Sequence, residues 1–260
     1  MVFETDSPYN HVIVADDGTG LRSLYFEKNG AIQSRVKLGE PLALQLPYTR
    51  AAMLGLALVE APKRILIIGL GGGAMPMFLR RVCPRARIDV VDIDPAVADA
   101  ARRFFDVVED DRLRIHVADG RAFVAHAADR FDLVFLDAFG AGAIPRHLAT
   151  REFLESVKAH LAPGGAVVGN VWAQDFNPLY PAMAATYRAA FGGLCPVAVS
   201  GTSNRIFLAQ GGLPGAGALA ERAARAGESL KLPFPLEELA AGGCLDDGPP
   251  DIAILSDSDR

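Results

Sequence analysis

The segment Arg64-Ile-Leu-Ile-Ile-Gly-Leu-Gly-Gly-Gly-Ala-Met75 constrains this chain more than any other. An apolar run ends in a glycine cluster, and a second apolar stretch, in Val90-Val-Asp-Ile-Asp94, ends in Asp92 about twenty residues after it. This spacing predicts a strand, a tight turn, a helix N-terminus and a second strand. Glycines let a backbone approach a ligand closely, and a carboxylate at the next strand end accepts hydrogen bonds from ribose hydroxyls. Gly69, Gly71 and Gly72 are therefore the expected contacts of a nucleoside-bearing ligand, with Asp92 on its ribose. Gly69-x-Gly71-x-x-Ala74 taken alone also fits an NAD-binding turn.

Later landmarks separate the two. Leu113 to Val117 is an apolar run followed by Asp119-Gly120, which suits a third strand ending beside an adenine ring. Phe131-Asp-Leu-Val-Phe-Leu-Asp137 predicts a buried strand that delivers a carboxylate at its C-terminal end, and Leu161-Ala-Pro-Gly-Gly165 turns into a further run, Ala166 to Val171. Helical segments alternate with these strands: Asp94-Pro95 opens one as cap and first residue, and Thr150 to His160 and Pro181 to Phe191 supply others. Cys195 to Ser200 and Arg205 to Gln210 are the expected last strands, antiparallel at the sheet edge. Glycine loop, acidic strand end, Asp-Gly, strand-borne Asp and Pro-Gly-Gly, in this order, resemble the class I S-adenosylmethionine-dependent methyltransferase-like fold, an α/β Rossmann-like doubly wound sheet.

Residues 1–50 read differently. Val12-Ile-Val-Ala, Arg22-Ser-Leu-Tyr-Phe-Glu and Ile32-Gln-Ser-Arg-Val are β-like runs separated by Asp16-Asp-Gly-Thr-Gly and Lys28-Asn-Gly, and Asn29-Gly30 favours a two-residue hairpin. A small N-terminal antiparallel β domain (1–50), a Rossmann-like cofactor-binding domain (51–212) and a helical and irregular C-terminal tail (213–260) are the expected parts, the polar end at Ser256 being frayed.

Composition narrows the function classes. With a net charge of −5 and no basic run, the chain is not expected to bind nucleic acid. No apolar segment reaches the ~18 residues of a membrane span, and Met-Val-Phe-Glu-Thr-Asp lacks the regions of a signal peptide. Cys83, Cys195 and Cys244 are odd in number and far apart, which suits free thiols in a reducing cytoplasm. Neither they nor the five histidines show metal-ligand spacing, so no metal is expected.

Ser7-Pro-Tyr-Asn-His-Val-Ile-Val, Asn29-Gly-Ala-Ile-Gln33-Ser and Leu46-Pro-Tyr48, placed before the glycine loop, resemble the polyamine aminopropyltransferases, the spermidine and spermine synthases. The resemblance spans residues 7 to about 210. It implies transfer of an aminopropyl group from decarboxylated S-adenosylmethionine to a small-molecule amine, with release of methylthioadenosine, by a homodimer. It also implies that Gln33 contacts the nucleoside and that Tyr48 is the tyrosine of the Tyr-His-Glu motif. Asp92 would bind the ribose, Asp119 and Gly120 would read the adenine edge, and Asp137 would be the base that takes a proton from the attacking amine.

Other family positions differ. The loop Asp that holds the aminopropyl ammonium reads Gly72, the second Asp of Asp-Ser-x-Asp reads Gly140, and the His and Glu after Tyr48 read Thr49 and Arg50. These changes remove groups that would hold a cationic amine, so weak activity with putrescine is expected. Intact S-adenosylmethionine is expected to bind comparably, with Gly72 leaving backbone N–H groups free for its carboxylate. A methyltransferase using that co-substrate and a non-catalytic nucleoside-binding homologue are the alternative readings. Trp172 and Asp175 lie where acceptors sit in such folds, and His147 follows Asp137 as a second candidate base or a surface residue.

Overall fold

In the computed structural model, which describes residues 1–140, 144–245 and 252–258, the chain opens with an antiparallel sheet. Its strands are β1 (Phe3–Asp6), β2 (His11–Asp16), β3 (Leu21–Tyr25) and β4 (Ile32–Lys37), in that order. β1 has no counterpart in the sequence reading, because its four residues are too few to show alternation. Asn29 does take the left-handed conformation (φ 61°), but the connection runs over 26–31 and is not a two-residue hairpin. The β3–β4 register shifts between Leu24 and Tyr25, and Phe26, just beyond β3, is buried in the core while its carbonyl accepts from His11 N (3.2 Å).

Two short helices, α1 (Pro47–Ala52) and α2 (Gly55–Leu58), lead into alternating strands and helices. These are β5 (Arg64–Ile68), α3 (Ala74–Val82), β6 (Arg87–Asp92), α4 (Pro95–Phe104), β7 (Leu113–Val117), α5 (Gly120–Ala125), β8 (Phe131–Leu136), α6 (Arg151–Ala159) and β9 (Leu161–Trp172). α7 (Tyr180–Phe191), β10 (Leu194–Ala198), β11 (Asn204–Ala209), α8 (Ala216–Leu230) and α9 (Leu236–Ala240) follow. The seven-stranded sheet is ordered β10-β11-β9-β8-β5-β6-β7. β5 to β9 are mutually parallel, and β11 pairs antiparallel with both β9 and β10. The chain therefore reverses its direction of travel across the sheet between β5 and β8, where a crevice opens at the carboxyl ends of the strands. Leu161-Ala-Pro-Gly-Gly165 is not a separate turn but a bulge within β9: Phe131 pairs with Leu161, Leu133 with Ala166, and Gly164 (φ 76°) absorbs the extra residues.

The small sheet is fastened to this domain by Asp94. Its carboxylate is fully buried and accepts hydrogen bonds from Ser7 Oγ (2.6 Å), Asn10 Nδ2 (3.0 Å) and, as the cap of α4, from Ala96 N (2.9 Å). Arg22 Nη1 adds a bond to Phe104 O (2.7 Å) at the other end of α4, beside the stacked rings of Phe3 and Phe104.

Two sequence expectations for the C-terminal part are corrected. The segment 252–258 is not frayed: Leu255 is buried, its N–H donates to Thr186 Oγ1 (2.9 Å), its carbonyl accepts from Arg151 N (2.8 Å), and Asp257 pairs with Arg121. Nor are all the cysteines free thiols. Cys195 and Cys244 form a disulfide that ties β10 to the chain after α9, and Cys83 alone is free and buried. Pairing across a separation of 49 residues depends on the fold, which sequence spacing does not reveal, and it removes the thiol argument for a reducing compartment. Cys244→Ser should lower unfolding stability by about 2–4 kcal/mol in urea titrations. Reductant should reproduce that loss in the parent protein and add little in the variant.

Candidate active site

Local sequence explains why the crevice holds carboxylates. β6 ends in Asp92 and β8 is followed by Asp137, so two carboxylates emerge at the same sheet edge, with the glycine loop that follows β5 between them. At Gly69 (φ 104°) a Cβ would lie 2.3 Å from the carbonyl oxygen of Asp137, and Asp137 N donates to Ile68 O (2.8 Å). Only glycine lets the end of β8 approach the end of β5 this closely. A cavity of ≈ 490 Å³ opens there, bounded by the glycine loop, α1, the ends of β6, β8 and β9, and residues of the small sheet.

Most of the expected residues meet in this cavity. Gln33, Tyr48, Gly69, Gly71, Asp92, Asp119, Gly120, Asp137 and Trp172 all line it. Asp92 is held by its own loop: Oδ2 accepts from Leu70 N (2.8 Å) and Oδ1 from Asp94 N (2.9 Å). Burial raises its carboxyl above the ordinary carboxylate range, and those N–H groups draw it partly back. Asp119 caps α5 through Ala122 N (2.8 Å), and its other oxygen meets His147 Nε2 at 2.7 Å. Burial would raise this carboxyl, but the Ala122 N–H and the imidazole outweigh it and hold it below the usual range. His147 is thus paired with Asp119 and not with Asp137.

Asp137 sits on the cavity floor. Tyr48 Oη donates to Oδ2 (3.2 Å) and Asn170 Nδ2 to Oδ1 (2.8 Å), while Asn204 Nδ2 donates to Asn170 Oδ1 (2.8 Å). Protein encloses the carboxylate apart from the face open to the cavity. Burial pushes its pKa up to about 7, against the lowering effect of the Asn170 and Tyr48 hydrogen bonds. Burial and the adjacent carboxylate push the Tyr48 phenol well above its ordinary value, so it stays protonated and donating. A carboxylate that titrates near neutrality inside a cleft is suited to accept a proton. Sequence reading missed Asn170 and Asn204. The available signal is a lone amide in the apolar run Ala166 to Val171, since a buried amide requires hydrogen-bond partners.

Two expectations, at Asp175 and Gly72, fail, and Arg50 stands away from the cavity. Asp175 is exposed and outside the cavity lining. Arg50 brings no charge to the cavity; it lines a separate groove with Arg81 and Phe234, because on α1 it stands on a different face from Tyr48 and Thr49. Gly72 is also absent from the lining. A Cβ there would meet Phe105 at 2.8 Å and Ser34 Oγ at 3.0 Å, so no room exists for the side chain that the family carries. We expect Gly72→Asp to destabilise the protein by about 1–3 kcal/mol through overpacking, without improving putrescine use. Thermal denaturation and a product assay check the two halves.

A seven-stranded sheet of this order, with a nucleoside-sized cavity at its switch point and a small antiparallel sheet over it, is a class I methyltransferase-like fold. The family model for the spermine/spermidine synthase domain matches residues 48–180, and the chain belongs to that family. It is 34% identical over 245 residues to the polyamine aminopropyltransferase of Vibrio vulnificus, covering 91% of this chain and 81% of that protein. Among solved structures it resembles a probable spermidine synthase from Corynebacterium glutamicum (TM-score 0.74, 22% identity, 98% of this chain and 99% of that one). It also resembles human methyltransferase-like protein 13 in complex with SAH (TM-score 0.66, 27% identity, 73% and 95%).

Proposed function

We propose that the protein is a transferase that moves an aminopropyl group from decarboxylated S-adenosylmethionine to an amine, releasing methylthioadenosine. The carrying observation is Asp137, a buried carboxylate with a pKa of about 7 in the same cavity as the glycine loop and Asp92. Similarity to the Vibrio vulnificus polyamine aminopropyltransferase supports the transfer chemistry. The cavity suits the nucleoside part. Asp92 offers lone pairs to ribose hydroxyls, Asp119 and Gly120 flank the base, and Gln33 approaches from the small sheet. No metal-ligating cluster occurs among the described residues.

When bound, the sulfonium supplies an activated carbon and a leaving group that departs as a neutral thioether. The chain supplies the proton chemistry. An ammonium cannot attack, so Asp137 takes a proton from the acceptor nitrogen, and Tyr48 and Asn170 fix its two oxygens so that a free lone pair faces the cavity. Asn204 holds the Asn170 amide in the orientation that presents its NH₂ to Asp137. Two copies per assembly is the state that the family resemblance implies.

The test is incubation of the purified protein with decarboxylated or intact S-adenosylmethionine and a panel of amines, read by mass spectrometry. Methylthioadenosine and an aminopropylated amine are expected from the decarboxylated form alone. Methylated product from the intact form would replace this reading with a methyltransferase. Nucleoside binding with no product in any combination would leave a non-catalytic binder.

A further inference from the structure

Resting on the reading above, we infer that the acceptor is a monoamine with an apolar or aromatic body, its single amino group at Asp137, and not a short diamine. The carboxylates lining the cavity among the described residues are Asp92, Asp119 and Asp137, and no Lys or Arg lines it. Asp92 and Asp119 lie at the nucleoside end, with oxygens already bound by Leu70 N, Asp94 N, Ala122 N and His147. Asp137 is therefore the one acidic group available to an acceptor.

Beyond Asp137 the walls are neutral. Phe139 and Trp172 pack ring to ring there, with centroids 5.2 Å apart. The polar groups beside them are largely committed to one another. Asn170 donates to Asp137 and accepts from Asn204, and Thr202 Oγ1 donates to Val199 O (3.1 Å) and accepts from Asn204 N (3.1 Å). A second ammonium in this region would have only amide oxygen and ring faces as partners, which hold a desolvated cation less well than a carboxylate does. The co-substrate itself brings a sulfonium and a primary ammonium, so a diamine would add a further unpaired positive charge to a cavity with no negative group left to meet it. A monoamine avoids this. One of the three protons of its ammonium passes to Asp137, the freed nitrogen lone pair forms the new C–N bond, and the C–S bond breaks with its electron pair left on sulfur. The other two protons stay on that nitrogen in the product, a secondary ammonium. The aromatic pair then covers the apolar remainder.

Putrescine and n-pentylamine test this directly, because they have the same chain length and differ only in the second amino group. With decarboxylated S-adenosylmethionine, n-pentylamine should show kcat/KM at least ten-fold above putrescine, and 2-phenylethylamine should also be aminopropylated. Calorimetry of each amine into the methylthioadenosine complex should give the same ranking. Gly140→Asp, which returns a carboxylate to the cavity wall, should shift the ratio toward putrescine by ten-fold or more. Putrescine used or bound as well as n-pentylamine would overturn the inference while leaving aminopropyl transfer intact, and so would an unchanged ratio in the folded Gly140→Asp protein. If neither amine is turned over but n-pentylamine binds the complex at least ten-fold more tightly, the acceptor assignment stands and the transferase reading falls. Binding of neither amine overturns the assignment.

Discussion

Asp137→Asn should lose roughly 10²–10⁴-fold in turnover, the range for a positioned general base, while gaining stability above pH 7. The two effects share one cause. In the folded protein the Asp137 carboxyl titrates near 7, against an ordinary 3.8. A folded-state value above the unfolded one means that the group's stabilising contribution is complete below about pH 4 and is lost as pH rises through about 7. An interval of this size corresponds to about 4 kcal/mol at roughly 1.4 kcal/mol per pH unit. Water on the open face of the cavity screens part of it, so the expected gain at pH 8 is about 2 kcal/mol, with almost none at pH 4. Urea titrations at both pH values measure it. The Asn side chain can keep its neighbours, because flips of the Asn170 and Asn204 amides would restore matched donors and acceptors along the row. In the parent enzyme kcat/KM should rise through pH 7, and in the variant only the slope due to the amine itself should persist. A variant with full activity would place the base elsewhere in the cavity.

Asp92→Ala is the second large effect. Its carboxylate does two tasks at once, closing the glycine loop through Leu70 N and Asp94 N and presenting lone pairs to the cavity. Removing it should weaken methylthioadenosine binding by roughly 1.5–3 kcal/mol, the scale of hydrogen bonds to a charged acceptor. It should also lower stability by about 1–3 kcal/mol as the two N–H groups lose their partner. Calorimetry and thermal melts separate the two losses. Unchanged nucleoside affinity in a folded variant would remove Asp92 from the ribose site.

What could be read from the sequence follows the range of each interaction. Asp92, Asp119 and Asp137 were legible because each is the first acid after an apolar run, and strand periodicity alone carries such a residue to the carboxyl edge of the sheet. Tyr48 and Gln33 needed the family resemblance, since nothing in their own neighbourhoods points at the cavity. Asn170 and Asn204 meet only through the antiparallel register of β9 and β11, in which Asn204 lies opposite Trp172. That pairing is invisible in either segment. Gly72 was misread because the obstacles at its Cα, Phe105 and Ser34, come from the end of α4 and from the small sheet. The Cys195–Cys244 link, the docking of Leu255 and the direction of Arg50 depend likewise on which elements become neighbours.

The clamp at Asp94 makes residues 7–10 a hidden support of the proposed nucleoside site. Ser7 and Asn10 stand 87 and 84 residues before the carboxylate they bind, and that residue's own N–H supports Asp92. Trimming the first ten residues, whether by a protease or by an expression vector with a misplaced start, would strip two of the three donors from a fully buried acid directly behind Asp92. The damage would surface as lost nucleoside affinity in a protein whose glycine loop and strand-end acids are all still present. A shortened chain that fails to bind would then be mistaken for one that never could.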